Sequence, residues 1–286
     1  MGSAQLEKSL GMKKIHQLGF VKLLDVMGND EEVENSARIS YGEGTRKVNQ
    51  TRNLIRYLMR HKHTSPFEMC EVKFHLKLPI FIMRQLVRHR TANLNEYSGR
   101  YSVMSDEFYL PEGDYLAKQS TTNNQGRGGS LKHSQGLLQF EFNRIYDGAA
   151  MAYHVLLENE LSREVARAVL PVANYTECIW KIDLHNFFHF VKLRADSHAQ
   201  REIRDYADAM YELVKPNFPI CCEAFEDYNQ DAVTFSKQEM EIIKEHLNYV
   251  DDNHAWTERE DLGVVEHSLS KREQKEFLEK LKIGEE

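Results

Sequence analysis

The sequence has few cysteines, few prolines and no long apolar run. Its 286 residues include 4 cysteines and 6 prolines, and the cysteines form neither a CxxC pair nor a cysteine–histidine zinc spacing. This argues against a disulfide framework and a structural zinc site. No apolar run is long enough to cross a bilayer, and the first ten residues lack the apolar centre of a signal peptide. We therefore expect a cytoplasmic protein without a membrane partner, in which Cys70 and Cys178 are reduced core residues.

A surplus of basic residues is also absent. The formal net charge is −7, and residues 236–286 carry 14 acidic and 8 basic residues, so residues 1–235 are nearly neutral. Domains that bind nucleic acid are usually basic, so we expect no nucleic-acid partner. We predict a body, 1–235, and a charged helical C-terminal extension, 236–286. The helices of the extension are predicted by two capping-box patterns, Ser236 with Glu239 and Ser270 with Glu273.

The body has clear hydrophobic periodicity. Residues 69–78 alternate between apolar and mostly charged side chains, which predicts a strand that Pro79 ends. Residues 20–27 predict another strand, followed by a helix that Asp30 can cap. From Leu138 onwards apolar residues recur at three- and four-residue steps, which predicts a long helix.

Two further helices are predicted from the residues that precede them. Ser162 is suited to cap the segment REVARAVLP, and Asp183 is suited to cap the segment after it. Between them and the first strands, residues 118–136 are polar and rich in glycine, which predicts a mobile surface loop or insertion. No strand leads into this region and no GK[ST] follows it, so a phosphate-binding loop is not favoured.

The stretch 84–102 concentrates basic charge in an acidic protein. It holds four arginines against a single glutamate, together with serine, asparagine and glycine residues. Guanidinium groups match the oxygens of phosphate and carboxylate, so the stretch is a candidate site for a small anionic ligand. Composition alone leaves a second interpretation open, in which the stretch is a solvated basic surface or a network of surface salt bridges.

Two other clusters are candidates for ligand binding. Arg163 and Arg167 are four residues apart and can share a helical face. The second cluster comprises His185, His189, Arg194, Asp196 and His198. An HxxxH spacing suits a metal, but the glutamate of an HExxH motif is missing and the nearby arginine would repel a cation. We therefore predict no metal, and favour an organic ligand over histidines with a structural role.

Five segments resemble the flavin-dependent thymidylate synthases, the ThyX family. RHRTANLNEYSGR at 88–100 resembles the family signature RHRxxSxNExSxR, with Asn93 at the position of the first serine. TSPFE, PIFIMRQ, REVARAVLP and LRADSHAQ resemble further family segments and occur in the family order. The resemblance implies an α/β fold of the α+β kind, with a mixed β-sheet flanked by helices. It also implies a homotetramer with active sites between subunits.

The resemblance implies methylation of dUMP to dTMP, with methylenetetrahydrofolate as the carbon donor and NADPH as the reductant through bound FAD. Arg194 is then the catalytic residue, because a fixed guanidinium suits the negative charge that forms when uracil N3 loses its proton. The implied dUMP contacts are Gln85, Leu86, Val87, Arg88, Glu96, Tyr97, Ser98, Gly99, Arg100, Arg167 and Arg194.

The implied FAD contacts include the two histidines that resembled a metal pair. Ser65 would reach the flavin from a neighbouring subunit, and His63 would lie near the flavin and the folate. The implied FAD residues are Ser65, Arg88, His89, Arg90, Thr91, Glu96, Asp183, Leu184, His185 and His189. In such a site the flavin does the activating work, and Ser98 is expected to contact the nucleotide instead of acting as a nucleophile.

Two other functions remain as alternatives. The basic stretch can belong to a noncatalytic protein that binds nucleotides or RNA. The histidines His185, His189 and His198 can belong to a metal-dependent hydrolase.

Overall fold

The computed structural model describes residues 9–39, 51–121, 126–238 and 240. By its internal contacts the chain divides into two units, residues 1–230 and residues 231–286. Most of the second unit lies outside the described residues, including Glu239 and both residues of the Ser270 capping box. The predicted boundary between a body and a helical extension at residue 236 stays a prediction.

The first unit contains all the named strands and helices. Its strands are β1 (Gly11–Ile15), β2 (Gly19–Met27), β3 (Glu71–Pro79), β4 (Asn93–Glu96), β5 (Ala117–Gln119), β6 (Arg127–Ser130) and β7 (Tyr175–Asp183). Its helices are α1 (Asp30–Arg38), α2 (Thr51–Arg60), α3 (Ser65–Glu68), α4 (Ile80–Leu86), α5 (Gln135–Glu158), α6 (Arg163–Ala166), α7 (Leu184–Arg194), α8 (Arg201–Val214) and α9 (Pro219–Phe225).

The main sheet has the strand order β1-β2-β3-β7-β4. The predicted strand at 69–78 is confirmed as β3, whose alternate side chains are buried against the helices. The predicted α+β fold with a sheet flanked by helices is confirmed. The sheet itself is antiparallel instead of mixed, because every strand pairing in the described residues is antiparallel. No pair there needs the crossover that parallel neighbours require.

Helices α7 and α8 cover one face of the sheet. The ring centroids of Phe74 on β3 and Phe187 on α7 lie 5.8 Å apart, and those of Trp180 on β7 and Phe190 on α7 lie 5.2 Å apart. Such aromatic contacts add stability beyond the burial of apolar area. The C-terminal end of α7, which carries Arg194, is therefore anchored by a packed core.

All four cysteines are free and buried, as predicted for Cys70 and Cys178. Burial raises the pKa of Cys70 to about 11 and that of Cys178 to about 12. A thiol is a nucleophile only as the thiolate, so neither side chain is activated at neutral pH.

The predicted helix caps are confirmed in one case out of three. The Asp183 carboxylate accepts from the backbone N–H of Asn186 at 2.9 Å and caps α7. Asn29 caps α1 instead of Asp30, which accepts from the first backbone N–H groups of α9, at Ile220 and Cys221. Ser162 makes no side-chain cap bond, and α6 is a single turn continued by a 3-10 segment to Val169.

The predicted loop at 118–136 is wrong at both ends. Residues 117–119 and 127–130 form the paired strands β5 and β6, and α5 begins at Gln135. Arg127 on β6 donates to the buried carboxylate of Glu202, which fastens β6 to α8. The predicted long helix is confirmed as α5. None of the helices in the described ranges combines the length and the apolar character that crossing a bilayer requires.

Candidate active site

Helix α4 and the segment after it carry the first group of site residues. Ile82, Met83 and Leu86 bury one face of α4, which leaves Gln85 half-buried and Arg88 exposed on the other side. Leu86 is fully packed in the core, so a ligand can meet only its backbone. Val87, Arg90 and Thr91 are exposed along the same edge.

Arg194, at the end of α7, lies against this segment. Its Nε donates to Nε2 of His89 at 3.0 Å. Burial and then the charge of Arg88 lower the pKa of the Arg194 guanidinium below its ordinary value. Burial, Arg194 and His189 lower the pKa of His89 to about 4. His89 is therefore neutral at pH 7, and it carries its proton on Nδ1 because Nε2 accepts from Arg194. We call Gln85, Arg88, His89 and Arg194 the first cluster.

The second cluster is formed by residues 97–100 and Arg167. Gly99 is buried, and a Cβ there would lie 2.8 Å from Sδ of Met104 and 3.2 Å from Cδ of Arg167. Glycine therefore allows Arg167 to approach the turn closely. Ser98 Oγ accepts from the backbone N–H of Arg100 at 3.3 Å, and the guanidinium of Arg100 pairs with Glu164 on α6. Tyr97 donates to the carbonyl of Val103.

Most of the candidate arginines have no acidic partner. In the described residues no salt bridge involves Arg84, Arg88, Arg90, Arg167 or Arg194. For Arg84, Arg88 and Arg90, the members of the basic stretch among these five, the surface salt-bridge form of the second interpretation is therefore wrong. Guanidinium groups without counter-charges are suited to an anionic ligand.

The two clusters share no direct bond in the described residues. No hydrogen bond or ion pair in the described residues joins Gln85, Arg88, His89 or Arg194 to Ser98, Gly99, Arg100 or Arg167. Glu96 lies on β4 between them, and its Oε1 accepts from Thr176 Oγ1 on β7 at 2.9 Å. The dUMP contacts implied by the resemblance thus fall into two groups.

A cavity of about 210 Å³ lies beside the first cluster. His185 and His189 on α7 line it together with His63, Thr64 and Lys192. Ser65 is exposed next to it at the start of α3, Asp183 caps α7, and Leu184 is fully buried. The cavity brings together the histidines that the resemblance assigns to the flavin and folate.

The histidines do not form a metal site in the described residues. His198 donates to Asp196 in its own turn instead of joining His185 and His189. No group of three or more histidine, cysteine, aspartate or glutamate side chains is placed to hold a metal ion there. A hydrolase that uses this trio has no support in this geometry.

Gln200, Glu202 and Arg127 are neighbours of the site that the sequence does not predict. Gln85 Nε2 donates to Gln200 Oε1 at 2.6 Å, and Gln200 Nε2 donates to Glu202 Oε2 at 3.0 Å. One signal was present for Glu202, because it lies four residues before Tyr206 on the apolar stripe of α8. An acidic residue on a buried stripe requires a charged or hydrogen-bonding partner.

Fold and site together define an α+β protein with unpaired guanidinium groups beside histidines, a site for phosphorylated organic ligands. The model of the family described as thymidylate synthase complementing protein matches residues 22–220. The chain belongs to this family, and the resemblance stated from the five segments is confirmed.

Named relatives are similar to the chain over nearly its whole length. It is 48% identical over 273 residues to a flavin-dependent thymidylate synthase from Ehrlichia ruminantium strain Gardel, which covers 94% of this chain and 87% of the relative. It is 45% identical over 278 residues to a flavin-dependent thymidylate synthase from Treponema denticola, with coverage of 95% and 97%. Among solved structures it is similar to the UMP/dUMP methylase PolB from Streptomyces cacaoi bound with 5-Br dUMP. That comparison gives a TM-score of 0.69 and 32% identity, covering 76% of this chain and 99% of the other.

Proposed function

We propose that the protein is a flavin-dependent thymidylate synthase, a methyltransferase that converts dUMP to dTMP. The observation that carries this proposal is the set of arginines without a salt bridge in the described residues, Arg88 and Arg90 on the family signature together with Arg194, which is fixed on neutral His89. The names of the relatives and the bound 5-Br dUMP of the similar structure agree with it.

Arg194 is the catalytic residue in this proposal. Its guanidinium contacts the uracil and stabilises the negative charge that forms when N3 loses its proton. His89 accepts from Nε and so fixes the direction in which the remaining N–H groups of Arg194 point. Arginine side chains stay protonated in proteins, so Arg194 remains a cation.

The second cluster holds the phosphate of dUMP. Arg167 and Arg100 supply forked donors, and Ser98 and the backbone near Gly99 supply neutral ones. Gln85 and Arg88 hold the nucleotide from the first cluster, with the backbone of Leu86 and Val87. Glu96 and Tyr97 complete the set at the end of β4.

FAD is the flavin in this proposal, with NADPH and methylenetetrahydrofolate as co-substrates. His89, His185 and His189 would hold the flavin, which would supply the hydride chemistry that reduces the transferred methylene group with electrons from NADPH. The fit rests on the cavity lined by His63, His185 and His189, beside His89 and the exposed Ser65. Aromatic and cationic side chains suit a flat anionic cofactor. The four buried cysteines agree with a reaction that uses no enzyme thiol.

A homotetramer in the cytoplasm completes the proposal. The lack of direct bonds between the two clusters in the described residues is the arrangement expected of a site built from two subunits. Helix α5 supports an extensive interface, because Leu137, Phe140, Ile145 and Met151 are each at least half exposed along it. Contiguous apolar surface of this kind is typical of protein–protein contacts.

Tritium release from dUMP labelled at uracil C5 tests the function. We expect purified protein to show flavin absorbance that bleaches with NADPH and returns in air. Tritium release and dTMP formation should require the folate and NADPH. Protein that takes up no flavin, or that releases no tritium when fully loaded, would disprove the proposal.

A further inference from the structure

A buried carboxylate lies behind the first cluster. The Glu202 side chain is 2% exposed, and both of its oxygens accept from Nη2 of Arg127, at 2.5 and 2.7 Å. Its Oε1 also accepts from the hydroxyl of Tyr109 at 2.9 Å. Burial alone would raise the pKa of the Glu202 carboxyl, but Arg127 outweighs this and the pKa lies below its ordinary value. Glu202 is therefore a buried anion that Arg127 on β6 neutralises.

This anion is joined to Gln85 through one side chain. Gln200 Nε2 donates to Glu202 Oε2 at 3.0 Å, and Gln200 Oε1 accepts from Gln85 Nε2 at 2.6 Å. A carboxylate can only accept, so Gln200 must present its NH₂ group to Glu202. Its carbonyl oxygen then faces Gln85, which must in turn present its own NH₂ group.

The charge on Glu202 thereby decides the orientation of the Gln85 amide. Without a fixed acceptor both glutamines could rotate by half a turn, because the two ends of an amide have nearly the same shape. With Glu202 as a fixed acceptor, one N–H of Gln85 is held by Gln200. The side-chain carbonyl oxygen of Gln85 then remains available to accept from a ligand. Donors on dUMP that can meet it are uracil N3–H and the 3′-hydroxyl of the deoxyribose.

We propose that Arg127 and Glu202 are a positioning pair that fixes the amide of Gln85 for nucleotide binding. The pair acts through Gln200 and does not itself contact dUMP. This inference rests on the proposed function, since it requires Gln85 to bind the nucleotide. It assigns β6 a role in substrate affinity, through Arg127.

The variant Glu202→Gln tests the pair, because an amide of the same shape can offer Gln200 either a donor or an acceptor. The dissociation constant for dUMP is measured by calorimetry on the FAD-loaded protein. We expect it to rise roughly 10-fold, about the effect of one misdirected hydrogen bond. Arg127→Lys keeps a cation on the carboxylate and should retain most of the affinity. Lys14→Gln, which removes an exposed positive charge on β1, away from the proposed site and interface, is the matched control and should change nothing.

A double-mutant cycle with Gln85→Ala separates positioning from a general loss of stability. In the Gln85→Ala background, Glu202→Gln should cost no further affinity. If Glu202→Gln does not fold, Gln200→Met carries the same test, because it cuts the link and leaves the ion pair intact. Unchanged dUMP affinity in folded Glu202→Gln, or equal losses in both backgrounds, would overturn the inference.

The proposed function has a separate readout. If Gln85→Ala binds dUMP as tightly as wild type while the wild type releases tritium, only the positioning inference fails. If fully loaded wild-type protein releases no tritium, the proposed function fails and the inference fails with it.

Discussion

Arg194 has one hydrogen-bond partner among the described side chains, Nε2 of His89, so its other guanidinium donors point away from the protein core. We expect Arg194→Ala to lower dTMP formation on the order of 100-fold or more, the usual effect of removing a donor that stabilises developing negative charge. Reduction of the flavin by NADPH should persist, since Arg194 acts on the uracil. Tritium release and anaerobic flavin bleaching measure the two steps separately.

The control for this variant is Lys14→Gln, which also removes one positive charge but at an exposed site on β1. It should retain wild-type turnover. Near-normal synthase activity in Arg194→Ala would show that another group stabilises the uracil anion.

His89 makes stability depend on pH. Its pKa is about 4 in the folded protein and near 6.5 in the unfolded chain, because burial, Arg194 and His189 disfavour its charged form. Between these values the unfolded chain binds more protons, so this contribution to stability is full above pH 6.5 and is lost as the pH falls towards 4. We measure the free energy of unfolding with urea on flavin-free protein. As the pH is lowered from 6.5 to 4, it should fall more steeply for wild type than for His89→Gln.

His133→Gln is the control for this pH dependence, because His133 is exposed at the start of α5. It should follow the wild-type slope. Identical slopes for wild type and His89→Gln would mean that His89 is not buried as the structure has it.

At the scale of elements, Asp30 joins the start of α1 to the start of α9. Its two carboxylate oxygens accept from the backbone N–H groups of Ile220 and Cys221, each at 2.9 Å. Asp30→Ala should leave both buried donors unpaired and lower the free energy of unfolding by about 2 kcal/mol. Urea denaturation at pH 7.5 measures this. Glu31→Gln, an exposed change at the next position, should cost far less.

The contrast between β3 and Asp30 shows what the sequence could predict. Strict alternation in β3 and the cap of α7 depend on residues a few positions apart, so local patterns contain them. Asp30 looks like a local cap as well, but its partners lie 190 residues away. The pairing of Arg127 with Glu202 spans 75 residues and leaves no local pattern. The polar, glycine-rich composition of residues 118–136 therefore predicts a loop where the structure has the paired strands β5 and β6.

At the scale of the whole molecule, the same limit applies to the site. The signature predicts which residues bind, but it does not show that Arg194 contacts His89 while Arg167 contacts the turn at Gly99. A linear motif does not show whether two groups in it face one ligand in the same subunit. In the assembly that we propose, a second copy of the chain supplies the other half of each site.

Subunit complementation tests this arrangement. Arg194→Ala and Arg167→Ala should each be inactive alone, because each removes one required arginine from every site. The two variants are mixed in equal amounts and reassembled. If Arg194 and Arg167 of one site come from different subunits, random assembly places both intact arginines at about one site in four. The mixture should then regain about a quarter of wild-type tritium release. A mixture of Arg194→Ala with itself after the same treatment is the control. No restored activity in confirmed mixed tetramers would place both arginines in one subunit, and α5 would then need another explanation for its exposed apolar face.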